Sequence, residues 1–500
     1  MNLHDLLEHH GLSANPFADE DAQTDPVFQG RCRTSVFHPN WDKIYGDPTS
    51  PATSIVFGEK GAGKTAMRLQ IVSQIREHNQ SDAASKLFVI EYDDFNPFLD
   101  RFADRLSSRK RRQPEKVLAE WKLWDHMDSI LSLGVTDVVD SVLGSRRNGN
   151  NGQDANLLPD DVAKRLDRFQ KRDLLLLAAC YDNSLTETFQ SRWYRLRKKL
   201  GYYPWQSWFI RGIGVAVKTA AIGVMAYTRN YGWLTSVWFW LVIALGWAPW
   251  LAQVWRWWMQ AWGVSKHLRS VNRDIHPLRQ VLMQFSGKDI NGQPLPSKYR
   301  TDDRYELLYK FQGVLQALGY SGVVVLVDRV DEPHLTGGAL PKMKAFVWPM
   351  LDNKFLKQPG FGLKLLLPAE LSEFALNENR DFFQRARLDK QNMVPSLEWT
   401  GQSLYDLANA RVAACAEQES KKPRLQDLFE ESIDERRLID AFATLRVPRH
   451  LFKFLYRLMV AHCQSHVDTD PAWQVPLSTF ETQLAIYQRD QKAVDETLAG

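Results

Sequence analysis

The segment Ser54–Ala66 restricts the fold more than any other stretch of this chain. Ser54-Ile-Val-Phe57 is a short apolar run, suited to a buried strand. It leads directly into Gly58-Glu59-Lys60-Gly61-Ala62-Gly63-Lys64-Thr65, and Ala66 opens the helical pattern AMRLQIVSQI. This is GxxxxGK[ST] set between a strand and a helix. Glycines let backbone N–H groups turn around a phosphate chain, and the helix N-terminus adds partial positive charge. Lys64 has the reach for β- and γ-phosphates, and the Thr65 hydroxyl suits Mg²⁺. Residues 58–66 are therefore expected to cradle a nucleoside triphosphate with its metal. A strand ending at such a loop belongs to an open parallel sheet, where ligands lie beyond the carboxyl ends of the strands.

A second motif lies far downstream. Gly322-Val-Val-Val-Leu-Val-Asp328 is a continuous apolar run ending in an acid. It reads as a buried parallel strand with a carboxylate at its edge, placed to hold the Mg²⁺ shell. Related ATPases often carry a second acid at the next position, but here it is Arg329. Glu332 is then the first candidate to orient an attacking water, and Asp331 the second. A solvated turn before Pro333 is the competing reading for both acids. ATP is expected rather than GTP, because Asn353-Lys354-Phe355-Leu356 lacks the acid of an NKxD signature. Lys86–Tyr92, Gly362–Leu367 and Val394–Trp399 read as further strands. Asp93, Asp94 and Glu370 follow strand ends and are either nucleotide-facing or ordinary loop and cap acids.

From Gly401 onward the pattern is helical. Pro448 suits the first turn of a helix, but Arg449 beside it places a cation where the helix dipole is unfavourable. That conflict points to an anionic neighbour, either the γ-phosphate or a surface acid. Arg385 and Arg387 are candidates for an arginine finger reaching a neighbouring subunit. Residues 98–206 form a helical insert, with a flexible linker at Gly144–Gly152 and a basic run at Arg109–Arg112.

Composition matters at one place. The chain has 500 residues, 44% apolar and 24% charged, with a net charge of +4, which is too balanced to indicate nucleic acid. Yet 11 of its 18 tryptophans fall between Trp205 and Trp262. Trp233–Val254 runs 22 residues without a charge. As a helix it reaches about 33 Å, against a hydrocarbon core of about 30 Å. Trp208–Tyr227 is similar but carries Arg211 and Lys218; a central lysine costs about 2.5–3.5 kcal/mol to insert. The pair reads as a transmembrane hairpin. Arg192, Arg195, Arg197, Lys198 and Lys199 precede it, and Arg256, Lys266 and Arg269 follow it. The positive-inside rule puts both ends in the cytoplasm. Trp205, Trp208, Trp233, Trp250, Trp255, Trp257, Trp258 and Trp262 suit interfacial belts. A buried soluble hairpin and an interfacial first helix are the alternatives. Cys32, Cys180, Cys415 and Cys463 are widely spaced and read as reduced thiols. The opening MNLHDLLEHHGL has no apolar core of a cleaved signal peptide.

Taken together, the Walker A motif GEKGAGKT, the Walker B strand VVVLVDRVDE, the intervening hairpin and the late VPRHLFKFL segment resemble the KAP-type P-loop NTPases. These are membrane-linked relatives of the STAND and AAA+ groups. The resemblance covers the layout from about residue 46 to 460, though its motifs cover few residues. It implies a RecA-like or AAA+-like α/β core with a parallel sheet, interrupted by the helical and membrane insertion and closed by a C-terminal helical lid. The expected layout is an N-terminal arm at 1–45, first core half at 46–100, helical insertion at 101–206, hairpin at 207–262, helical return at 263–320, second core half at 321–400 and lid at 401–500. It further implies ATP and Mg²⁺ as ligands and a site at the cytoplasmic face of the inner membrane. A homo-oligomer and a role in prokaryotic signalling or anti-phage defence are implied as well. Three departures stand out: Arg329, Pro368-Ala369 where a polar sensor is usual, and an arm bearing Asn15-Pro-Phe-Ala-Asp. A non-hydrolysing nucleotide-sensing scaffold and an ATP-gated pore are the competing functions.

Overall fold

The computed structural model describes residues 1–81, 85–145, 155–159, 161–184, 187–203, 206–228, 236–377, 387, 391–417, 423–467 and 471–499. Five strands, β1 (Ser54–Gly58), β2 (Lys86–Tyr92), β3 (Tyr320–Val327), β4 (Phe361–Pro368) and β5 (Asn392–Val394), form a sheet in the order β2-β3-β4-β1-β5. The helices that matter below are α1 (Lys64–Ser81), α2 (Leu123–Leu143), α3 (Arg168–Tyr181), α4 (Gln206–Thr228), α5 (Val237–His267), α6 (Asp302–Ala317), α7 (Gly401–Ala414), α8 (Glu435–Ala443), α9 (Pro448–Ser465) and α10 (Leu477–Ala499). The chain divides into two compact units. One comprises Met1–Asp82, Leu326–Asp331 and Asp352–Gly500; the other comprises Ala83–Val325 and Glu332–Leu351.

In the first unit, every residue of β1 is buried, as its unbroken apolar run requires. β1 pairs in parallel with β4, from Ser54 opposite Lys364 to Gly58 opposite Pro368, and with β5 on its other side. Lys364 is buried within β4 because its Nζ donates to the carbonyls of Ile44, Tyr45 and Ala52 at 2.7, 2.9 and 2.8 Å. Burial pulls its ammonium down to about 8. The fifth strand lies earlier than the expected Val394–Trp399. It ends at Val394, since Pro395 has no N–H to continue the ladder.

The helical part of this unit has one apolar cluster. Along α9, Leu451, Phe454, Leu455 and Leu458 recur at helical spacing and pack with Leu404, Phe442 and Phe480. The N-terminal arm belongs to the same cluster through Leu6, Leu7, Leu12 and Phe17. Full burial of such a side chain is worth about 1.5–3 kcal/mol. The arm thus shares one apolar core with the C-terminal helices.

In the second unit, α2 buries an unusual number of polar groups. Arg304 of α6 is fully buried and holds Asp128 through Nε and Nη2 at 3.2 and 3.1 Å. The Tyr181 hydroxyl at the end of α3 donates to the same carboxylate at 2.7 Å. Burial pushes the Asp125 carboxyl up to about 6, and Arg269 opposes that shift. Arg192 is fully buried against Asp182 and Asp140, and Arg269 pairs with Asp125. Both arginines are thus held inside the fold rather than on its surface.

Helices α4 and α5 lie side by side in this unit. A Cβ on Gly246 of α5 would come within 2.7 Å of the Val217 side chain on α4. Trp238, Trp240, Leu245, Val215 and Ile222 are all exposed on this pair. Trp257 is buried, contrary to its expected place in an interfacial belt. Among the described residues, no helix is long and apolar enough to cross a membrane. Residues 229–232 of the expected connection, Trp205, Trp233 and linker residues 146–152 lie outside the described residues. All four cysteines are free and buried.

The buried Asp128 pair yields a stability prediction. Arg304→Ala strands a carboxylate and should cost about 3–5 kcal/mol in urea unfolding of the full chain. A loss below about 1 kcal/mol would show that Asp128 is compensated elsewhere.

Candidate functional site

The loop after β1 turns on two glycines in the left-handed region, Gly61 at φ 92° and Gly63 at φ 94°. Its carbonyls are engaged one after another. Lys64 Nζ donates to the Gly58 and Glu59 carbonyls at 2.6 and 3.0 Å. The backbone N–H of Arg449 reaches the Gly61 carbonyl at 3.3 Å. Trp399 Nε1 donates to the Ala62 carbonyl at 2.9 Å. The Ala369 N–H, just past β4, donates to the Gly58 carbonyl at 3.1 Å. Lys60 is exposed, whereas Ala62 is buried. Thr65 and Ala66 lie in the first turn of α1.

The two motifs meet beside this loop. Thr65 Oγ1 donates to Asp328 Oδ2 at 3.0 Å, joining residues 263 apart in sequence. Asp328 is only 1% exposed. Arg68, equally buried and one turn along α1 from Thr65, places Nε 3.6 Å from the same oxygen. Arg329 adopts φ 60°, and its N–H donates to Asp328 Oδ1 at 2.9 Å. A non-glycine residue in that region costs roughly 1–2 kcal/mol. The bend aims the strand-end carboxylate at Thr65. Burial pushes the Asp328 carboxyl above its ordinary range; Arg68, the Thr65 hydroxyl, the Arg329 N–H and Lys64 act against that rise. Burial pulls the Lys64 ammonium down, while Asp328, Asp331 and Glu370 raise it and Arg449 lowers it further.

Arg449 lies against the loop. Pro448 takes the first position of α9 and has no N–H to place; the next N–H, that of Arg449, finds the Gly61 carbonyl. A Cβ on Gly61 would fall 2.7 Å from Arg449 Cβ. The anionic neighbour expected for Arg449 is present within the chain: Glu20 Oε2 lies 3.7 Å from Arg449 Nε and 3.2 Å from Lys453 Nζ.

The structure therefore brings together residues 58–66, Asp328, Asp331, Glu370 and Arg449. Glu332 is exposed and belongs to the second unit, as do Asp93 and Asp94. Asp94 accepts the Asn96 N–H at 3.3 Å in the turn that leads into a helix. Arg387 is exposed, and Arg385 lies outside the described residues. Sequence reasoning missed four groups: Arg68, Trp399, Glu20 and Gln23. Arg68 had a signal, its i+3 spacing from Thr65 on one helix face. The others depend on folding at long range and had none. Among the described residues there is no cluster of three or more His, Cys, Asp or Glu suited to a metal. Thr65 and Asp328 nevertheless form a pair of hard oxygen donors of the kind Mg²⁺ takes with retained waters. Comparisons with protein families, curated proteins and solved structures find no match for this chain.

Gly61 carries a separable prediction. Gly61→Ala should lose about 1–3 kcal/mol in thermal unfolding, from backbone strain and the clash with Arg449. Gly313→Ala, mid-helix in open space, should gain up to about 1 kcal/mol. Equal melting of both variants would mean that Arg449 does not bear on the loop in solution.

Proposed function

We propose that this chain is a P-loop ATPase of the KAP type, anchored in a membrane by its hairpin and working as an ATP-driven conformational or oligomerisation switch. The hydrogen bond from Thr65 to the strand-end Asp328 carries the reading. It is the relation that joins a phosphate loop to its metal-side acid in ATP-hydrolysing sheets. The glycine loop and Lys64 would take the triphosphate. Thr65 and Asp328 would hold Mg²⁺, which when bound neutralises charge at the β- and γ-phosphates. Arg449 would meet the γ-phosphate and report its loss to the lid. Hydrolysis adds a water oxygen to the γ-phosphorus as the bridging P–O bond to the β-phosphate breaks. The water's proton passes to a carboxylate, with Glu332 the first assignment. Asp331 is the second, supported by its electrostatic effect on Lys64.

Lys64→Ala should weaken ATP binding roughly 100-fold by calorimetry, the scale of a lost charge-assisted contact or two. Glu332→Gln should keep binding and lower phosphate release about 100-fold. Normal turnover in that variant would move the role to Asp331. A wild-type chain that binds ATP without turnover would establish the sensing scaffold instead.

The membrane part of the proposal rests on the apolar side chains that α4 and α5 expose. Monomeric soluble proteins seldom show such a surface without a partner. Both termini and the site would face the cytoplasm. The full chain should stay with membranes through carbonate washing and leave them in detergent. Recovery in the carbonate supernatant would overturn the anchor.

A further inference from the structure

The N-terminal arm forms a strap across the site's cationic rim. It is fastened at both ends. At the first, the Ser13 N–H donates to the Cys415 carbonyl at 2.8 Å, Arg411 Nε donates to the Pro16 carbonyl at 2.6 Å, and Phe17 is buried beside Phe452. At the second, Asp25 is buried in an ion pair with the same Arg411. Between these anchors the strap is largely exposed, and it touches the site at two points. Glu20 shares one carboxylate oxygen between Arg449 and Lys453, which lie one turn apart on α9. Gln23 Oε1 accepts from Arg329 Nη2 at 2.8 Å. Arg449 Nε is shielded from solvent and, among the described residues, meets Glu20 at ion-pair distance rather than in a hydrogen bond.

We propose that Glu20 is a built-in competitor for the third phosphate and so sets the preference of this site between ATP and ADP. The proposal rests on the ATP-site reading above. A single carboxylate at a half-exposed ion pair contributes little to the fold. A terminal phosphate brings more charge and three acceptor oxygens, with stronger charge-assisted bonds to an arginine. It would draw Arg449 and Lys453 from Glu20, freeing the middle of the strap while both anchors hold. ADP has no third phosphate and leaves Glu20 in place. Gln23 on Arg329 ties the same strap to the residue after Asp328, so release of one contact bears on the other.

The test is nucleotide affinity of the full chain with Mg²⁺ for wild type, Glu20→Gln, Arg449→Ala and the double variant. Glu20→Gln should tighten ATP about 3- to 5-fold, leave ADP within about twofold, and have no effect when Arg449 is alanine. An unchanged or weakened ATP-to-ADP preference overturns the proposal, as does an effect that persists without Arg449. Hydrogen exchange over residues 18–24 gives a second readout in the unmodified protein. Exchange should rise with ATP and not with ADP; equal exchange in both overturns the proposal. A wild-type chain that binds neither nucleotide, with Lys64→Ala no different, refutes the ATP site itself and the strap with it.

Discussion

The buried carboxylate of Asp328 is the constraint on which the rest of the site depends. Taking a carboxylate out of water is costly unless donors replace the water. Here the Thr65 hydroxyl and the Arg329 N–H donate to it and the Arg68 guanidinium stands at ion-pair distance, so two parts of the chain, the start of α1 and the end of β3, close on one group. Each of the three fixes something. Thr65 fixes the first turn of α1, and with it the end of the glycine loop. Arg68 sets the rotation of α1, since it must face the same acid from one turn further on. Arg329 gives up an ordinary backbone conformation so that its N–H can point back. The loop after β1 and the end of β3 are therefore held in register by one group.

The start of α9 depends on the loop in a similar way. A helix leaves its first N–H groups without partners inside the helix. In α9, proline removes one of these and the Gly61 carbonyl takes the next. Position 61 must be glycine for two separate reasons. Its φ of 92° disfavours any side chain, and Arg449 occupies the space a Cβ would need. The clustering of Leu6, Leu12 and Phe17 with the C-terminal helices then brings the N-terminal arm to the same rim. The glycine loop, α9 and the arm thus converge on Arg449.

What could be read from the sequence follows from how local each signal is. The strand, loop and helix around Lys64 are contiguous, and so was the apolar run that became β3. The fifth strand lies earlier than the pattern Val394–Trp399 suggests, because Pro395 stops the ladder while the alternation after it still looks strand-like. Arg192 and Arg269 were counted as flanking cations by position alone. Position cannot tell a solvated arginine from one buried against Asp182 or Asp125. Trp257 was assigned to an interface for the same reason. The place of the arm was invisible: the apolar spacing of Leu6 and Leu7 announces a buried face but not what buries it. Arg449 is an intermediate case. Its unfavourable position near a helix start correctly implied an anion, and the structure supplies Glu20.

The charge pattern around the loop bears on the ligand proposed for it. Burial works against the charged form of Lys64 and against the charged form of Asp328 at the same time. An anion alone would ease Lys64 and Arg449 but would crowd Asp328, Asp331 and Glu370. A cation alone would ease the carboxylates and repel the cationic rim. The polyphosphate and divalent ion of the proposed function would answer both, since they bring charges of both signs. Glu20 fits this picture as a partial answer supplied by the chain. It offsets the two cations of α9 at a strength that leaves it displaceable.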